Sequence, residues 1–409
     1  MYAFETASFD NFKIVRMLEK LKLLAFAEKE SCIAIRRHLH AHPELSFQEV
    51  ETAAYIFNML TSFGLDDVSM IGETGVTGII RGKEKGKAML LRSDMDALPI
   101  QEYSSAIYSS QNQGVMHACG HDAHMAMLLT AAKILVGLKN ELHGSVSVLF
   151  QPAEERIPGG AIRMIACGIL KNPTICSIIA QHVMPGLRVG KIGIKTGKFM
   201  ASSDEFILIV HGKGGHAAMP ETLVDPVLIA GHIIVALQQI VSRNANPTIP
   251  TILSIGKISG MGAANVIPDE VILEGTLRTI DTEWREIALQ RLQKLVTSLA
   301  ESMGGTCIVK LKRGYPYLQN DNKLTARIKE FIAEYVGDEN VINADIWMAA
   351  DDFAYYSHLV PSTYYLLGTQ SEAPEINTRL HTPTFDIDEN SLEIGVGLMA
   401  WLTYRELMT

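Results

Sequence analysis

The chain has few cysteines. Five of them, Cys32, Cys119, Cys167, Cys176 and Cys307, are scattered through 409 residues. A secreted disulfide framework is dense and even in number. The thiols are therefore expected to be free, in a reducing compartment where a thiol can serve as a metal ligand. Clustered basic charge is also missing: 36 Lys and Arg against 45 Asp and Glu leave a net charge of −9. A nucleic-acid-binding domain carries a basic stripe, and without a Lys/Arg block no nucleic-acid partner is expected. There is no clean apolar run of the roughly 20 residues that a membrane span needs. The longest, Leu223 to Val241, is interrupted by Asp225, Pro226, His232, Gln238 and Gln239 and reads as a buried helix, so no membrane partner is expected either. The opening residues, Met1-Tyr2-Ala3-Phe4-Glu5, lack the basic patch and apolar run of a signal peptide. A cytoplasmic location follows as the expectation. Repeats, low-complexity tracts, His-Glu-x-x-His, a Walker phosphate loop, a Gly-x-Ser-x-Gly elbow and the Pro-Cys-x-x-Cys of zinc deaminases are all absent.

What is present is a globular composition. Hydrophobic residues make up 47% and charged residues 20%, enough to bury a large core, and the length suggests two or three domains. Residues 10–40 read as helix from Val15, Leu18, Leu21, Leu24 and Ile33. A second helix, Glu51 to Phe63, ends at Gly64. Buried strands are expected at 78–80, 88–92, 146–150 and 175–180, alternating with helices at 121–138 and 160–167. That alternation implies an α/β domain with a mostly parallel sheet flanked by helices. From Glu205 to Leu311 the order becomes strand, helix, strand, strand, helix, strand, the split βαβ unit of a ferredoxin-like α+β domain. After Gly314-Tyr315-Pro316 the first style returns, with helices at 323–335 and 390–406 and a strand at 364–367. The expected organisation is a catalytic domain of residues 1–196 and 313–409, with residues 197–312 inserted.

Five segments can carry chemistry. His117-Ala118-Cys119-Gly120-His121-Asp122-Ala123-His124 packs three His, one Cys and one Asp just before an apolar helix. Cys119 and His121 would stand on the turn that leads into it. Imidazole and thiolate suit zinc, nickel, cobalt and similar ions; the alternative is a polar helix start with incidental histidines. His124, one turn in, reads equally well as a supporting residue. Gln151-Pro152-Ala153-Glu154-Glu155 follows a strand. Adjacent carboxylates do not easily point the same way, so one can hold a metal while the other faces water; otherwise this is an acidic loop. His182 follows the run 175–180, at the strand end where α/β folds place their sites. Asp94 and Asp96 stand at another such end, and His381 lies in a loop. If one crevice collects them, Cys119, His121, Glu155, His182 and His381 give five ligands, enough for two ions if one ligand bridges.

With these residues in view the sequence resembles the metal-dependent aminoacylase and carboxypeptidase superfamily, in the branch of hippurate hydrolase and indole-acetyl-amino-acid hydrolases. The matching segments are Arg37 to Ser46, Arg92 to Pro99, His117 to His124, Gln151 to Glu155, Gly214 to Pro220, Asn265 to Pro268 and His381 to Pro383. The resemblance implies a metal-dependent amidohydrolase that cleaves N-acyl-L-amino acids to a carboxylic acid and a free amino acid. It implies two divalent ions per subunit (Mn, Zn, Co or Ni). Cys119 would bridge them, His121 and His182 would complete one site, and Glu155 and His381 the other. Glu154 would be the general base. His216 would hold the substrate or its oxyanion, and Asn265 and Arg278 would bind the substrate carboxylate. The inserted segment would be a lid and dimerisation domain, making the protein a homodimer or higher oligomer. Members often carry Ser-Glu-Asp-Phe where this chain has Ala350-Asp351-Asp352-Phe353, a shortened carboxylate that bears on specificity. The rival readings are a dipeptidase or carboxypeptidase on the same scaffold and a non-catalytic metal-binding protein. The presence of Glu154 beside the ligand Glu155 speaks against the latter, since a site that only binds metal needs no base there.

Overall fold

The computed structural model describes residues 2–371 and 379–409, with side chains from residue 12 onward. The chain divides into two compact units. One comprises Met1–Gly197, Gln319–Asp345 and Tyr355–Thr409, the other Lys198–Leu318 and Ile346–Ala354. The second unit thus runs a few residues past the boundary expected at 312. It also takes in 346–354, a segment that the sequence pattern assigned to the first domain.

The first unit is built on an eight-stranded sheet. Its order is Asp66–Ile71, Gly75–Arg81, His143–Gln151, Glu84–Asp94, Ser177–Arg188, Ser362–Gln370, Ile192–Ile194 and Val341–Asn343. The four strands from His143–Gln151 to Ser362–Gln370 run parallel, while the two strands before them are antiparallel. Parallel strands covered on both faces need apolar residues at every position. Accordingly, Ala88 to Asp94 and Val146 to Gln151 are buried at every position and have no solvent face. The helix His121–Gly137 is buried from its first residue through Ala132 and packs on Lys29–Ala41 and Asn390–Leu407. Its lead-in depends on Gly120, with φ of 87°. A Cβ there would stand 2.4 Å from Val183 Cγ2, so only glycine admits both the left-handed turn and the close approach.

The second unit holds a four-stranded antiparallel sheet ordered Thr251–Ser259, Glu270–Thr279, Asp204–His211, Thr306–Arg313. Phe206, Leu208 and Val210 alternate inward along Asp204–His211, against the helices Pro226–Gln239 and Thr282–Ser302.

Three local expectations are corrected. The helix expected over 10–40 is two, Tyr2–Ala27 and Lys29–Ala41. The strand Asp66–Ile71 was not anticipated, because it is an edge strand with no buried residue. The apolar run at 223–241 is not buried all round. Pro226–Gln239 buries Pro226, Ile229, Ala230, Ile233 and Leu237, while Val227, Leu228 and Val235 stay exposed. The stretch Pro226–Asn244 is apolar and long enough to cross a membrane by composition alone, but one of its faces packs on the sheet.

Candidate active site

The site grows from the carboxyl ends of the parallel strands. Strand Glu84–Asp94 delivers Asp94 and then Asp96, both buried. Strand His143–Gln151 runs into Pro152-Ala153-Glu154-Glu155. Asp96 organises that turn: its Oδ1 accepts Glu154 N and its Oδ2 accepts Glu155 N, each at 3.0 Å, and Ser46 Oγ donates to Oδ2 at 2.6 Å. On the far side of the turn, Ala153 N donates to Glu49 Oε1 at 2.8 Å. Gly160 must be glycine here, because a Cβ would fall 1.9 Å from Pro152 O.

Cys119, His121 and His182 bring their donor atoms within 4.8 Å of one another. So do Cys119, Glu155 and His381, and so do His121, Glu154 and Glu155. Cys119 belongs to both of the thiol-containing groups. Its Sγ lies 3.5 Å from His182 Nε2 and 3.4 Å from His381 Nε2. The outer nitrogens of two of these imidazoles are fixed by main chain: His121 Nδ1 lies 2.8 Å from Asp96 O and His182 Nδ1 2.6 Å from Val183 O. That is how metal-binding histidines are commonly oriented, with the opposite nitrogen left for the ion.

His121 Nε2 is in fact buried with no hydrogen-bond partner, and Glu155 Oε1 is too, although His381 Nε2 is 3.1 Å away. Buried polar atoms seldom stay unpaired, and an ion would satisfy both. The electrostatics agree. Burial pushes the Cys119 thiol well above its ordinary pKa, and Glu155, Glu154 and Asp94 add to this; a thiolate needs a cation beside it. Burial opposes charge on His121, yet Asp94 and Asp96 push it up to about 10, so the pocket calls for positive charge at that ring. Burial and the neighbouring His124 keep His182 well below the ordinary value, as a neutral imidazole. This set of sulfur, nitrogen and carboxylate donors is able to hold two divalent metal ions.

The structure also separates the alternatives left by the sequence. His124 has both nitrogens engaged, Nδ1 on Asp94 Oδ1 at 2.7 Å and Nε2 accepting Val183 N at 2.9 Å; it supports the site instead of facing it. Burial works against ionisation of Asp94, but His121, His124 and Arg92 hold its carboxyl well below the ordinary range. His182 does not follow its strand, which continues to Arg188; it lies within the strand, opposite Leu366.

His216, Asn265 and Arg278 belong to the second unit. His216 is exposed and pairs with Val266, and Asn265 O accepts Ala217 N at 3.1 Å. Arg278 stands apart from these on Glu270–Thr279, its Nη1 donating to Met348 O at 3.3 Å. Asp351 is buried and its Oδ1 accepts Phe353 N at 2.7 Å.

One supporting residue escaped sequence reasoning. Arg36 is fully buried and bridges Asp122, the residue after His121, to Asp386 and Glu389 beyond His381, at 2.7, 2.6 and 3.2 Å. Its signal was available: an arginine on the stripe of Cys32, Ile35 and Leu39 is a charge at a core position.

Comparison with known proteins agrees with this geometry. Residues 90–405 match the model of Peptidase family M20/M25/M40. The chain is 41% identical over 369 residues to the N-acetyl-L-cysteine deacetylase of Bacillus subtilis, covering 90% of this chain and 86% of that one. It is 42% identical to an N-acyl-L-amino acid amidohydrolase of Geobacillus stearothermophilus, covering 73% and 80%. It is 35% identical to thermostable carboxypeptidase 1 of Saccharolobus solfataricus, covering 95% and 98%. A solved dinuclear metal-binding peptidase of the M20 family from Bacillus subtilis superposes with a TM-score of 0.78 at 34% identity, covering 94% and 99%. A family model matched over residues 90–405, with a fold and a sequence that agree with those of relatives over nearly the whole length, makes the chain a member of peptidase family M20/M25/M40.

Proposed function

We propose that this metal-dependent amidohydrolase acts on N-acyl-L-amino acids, releasing a carboxylic acid and a free amino acid. The observation that carries the reading is the turn at Glu154 and Glu155, pinned through Asp96 beside a cluster of thiol, imidazole and carboxylate donors. Relatives whose names state deacetylation of N-acetyl-L-cysteine and hydrolysis of N-acyl-L-amino acids support it.

In this reading Cys119 is the shared donor, His121 and His182 complete one metal position, and Glu155 and His381 the other. Bound ions supply Lewis acidity and the means to ionise water near neutral pH. Glu154 takes the proton from the attacking water and hands it to the departing amine. His216 steadies the oxyanion, where one lost donor typically costs about 10²–10³ in rate. Asn265 and Arg278 take the substrate carboxylate. The inserted segment, 197–312, acts as lid and dimerisation domain of a cytoplasmic homodimer or higher homo-oligomer with no nucleic-acid or membrane partner. The working metal is Mn, Zn, Co or Ni.

The carboxypeptidase relative favours a second reading, cleavage of peptides. Both are tested by following amino-acid release from N-acyl-amino acids and from dipeptides, with and without chelator and with each ion restored. Chelator-sensitive release from acyl-amino acids alone is expected. Release from dipeptides alone makes the chain a peptidase, and no release with any ion leaves a metal-binding protein without catalysis.

A further inference from the structure

Between Leu98 and Met116, which pair with each other through their backbones, the chain makes a long excursion without helix or strand. Loops of that length in a compact domain commonly serve function. This one is fastened at many points. Glu102 Oε2 accepts Ser110 N at 2.7 Å, and its Oε1 lies 3.4 Å from His40 Nε2. The Tyr108 hydroxyl donates to Asp386 at 2.8 Å, Asn112 Nδ2 to Pro43 O at 2.7 Å, and Gly114 N to Gln101 Oε1 at 2.9 Å. Yet this fixed frame leaves Tyr103 72% exposed, with no hydrogen bond to its hydroxyl among the described residues.

The position of that bare ring matters. Tyr103 N donates to Pro383 O at 2.8 Å, two residues beyond His381, whose Nε2 closes on Cys119 and Glu155. Two residues span at most about 7 Å, so the main chain at Tyr103 is tied beside the loop that carries His381, with its ring open to solvent. The loop from Gln101 to Gly114 contains no Lys, Arg or His. It offers only neutral donors, and no cation to pair with the carboxylate that every N-acyl-amino acid carries at its amino-acid end. It suits the other end of the substrate, the acyl group, where a rigid aromatic face favours an apolar or aromatic partner.

We propose that Tyr103 is a specificity-determining residue that packs against the acyl group and favours bulky apolar acyl chains over acetyl. This rests on the N-acyl-amino-acid reading above. The test uses the full-length, Mn²⁺-loaded protein and its Tyr103→Ser and Tyr103→Phe variants; an exposed position tolerates both without loss of fold. With alanine fixed as the amino acid, acetyl, benzoyl and indole-acetyl amides are compared. Tyr103→Ser is expected to lower kcat/KM about tenfold or more for the two aromatic acyl groups, mainly through KM, with the acetyl substrate nearly unchanged. Tyr103→Phe should keep the wild-type preference. An equal fall for all three acyl groups overturns the proposal, as does an effect that follows the amino-acid side chain when the acyl group is held constant. If the wild type hydrolyses none of the amides with Mn²⁺, Zn²⁺, Co²⁺ or Ni²⁺ restored in turn, the functional reading fails, and calorimetric titration with indole-acetate and benzoate still decides. Weaker binding to Tyr103→Ser than to wild type supports the aromatic site, and equal binding overturns it.

Discussion

Asp96 Oδ1 accepts the backbone N–H of Glu154 at 3.0 Å while its other oxygen accepts that of Glu155, so one buried carboxylate sets the direction of two neighbouring glutamates. In Asp96→Asn only one side-chain atom can accept, and an amide N–H would confront the second main-chain donor. An unsatisfied buried donor costs about 1–3 kcal/mol. The variant should lose stability of that order in urea unfolding, and its turnover should fall while some metal stays bound. A wild-type kcat in Asp96→Asn would mean that the turn holds its shape without this clamp.

Glu154→Gln retains the size and burial of the side chain but removes its basicity. Elemental analysis should still find two ions per chain, and kcat should fall by about 10²–10⁴, the usual contribution of a positioned base. Near-normal turnover would move the proton-transfer role elsewhere.

Cys119 is a thiol whose neighbours work against its ionisation: burial first, then Glu155, Glu154 and Asp94. Only a bound cation makes the thiolate favourable, and a hydroxyl is a poorer shared donor. Cys119→Ser should therefore bind less metal after dialysis against a weak chelator. Full occupancy would speak against Cys119 as the shared ligand.

Glu49, which accepts Ala153 N and the Thr74 hydroxyl, should make stability depend on pH. Burial and then the charge of Asp96 push its carboxyl up to about 7 from 4.5. Below 4.5 it is protonated in folded and unfolded chains alike. As pH rises towards 7 the unfolded chain ionises first, and stability falls by up to about 3 kcal/mol. Unfolding free energies at pH 5 and pH 8 should show that decline in the wild type and a smaller one in Glu49→Gln. Parallel declines would assign the effect to other groups.

Part of the site could be read from the order of residues, because Glu154 and Glu155 follow a strand that declares itself by apolar content and Cys119 and His121 stand at the start of an apolar helix. The two alternating styles of secondary structure were legible for the same reason. What stayed hidden depends on contacts distant in sequence. Periodicity runs unbroken across Glu28, so two helices read as one. Asp66–Ile71 gains its strand from pairing with Gly75–Arg81, not from an apolar pattern. The supporting role of His124 comes from Asp94 and Val183, and the partners of Arg36 are three acids up to 353 residues away. Composition at one position cannot announce a partner of that kind.

The donors differ in access. Cys119, His121 and His182 are buried, whereas the His381 side chain is 51% exposed and stands on a loop residue with φ of 58°. A centre walled on one side and open on the other would fill and empty through the open side. The ion nearest His381 would exchange faster than its partner, two of whose donors, His121 and His182, are buried.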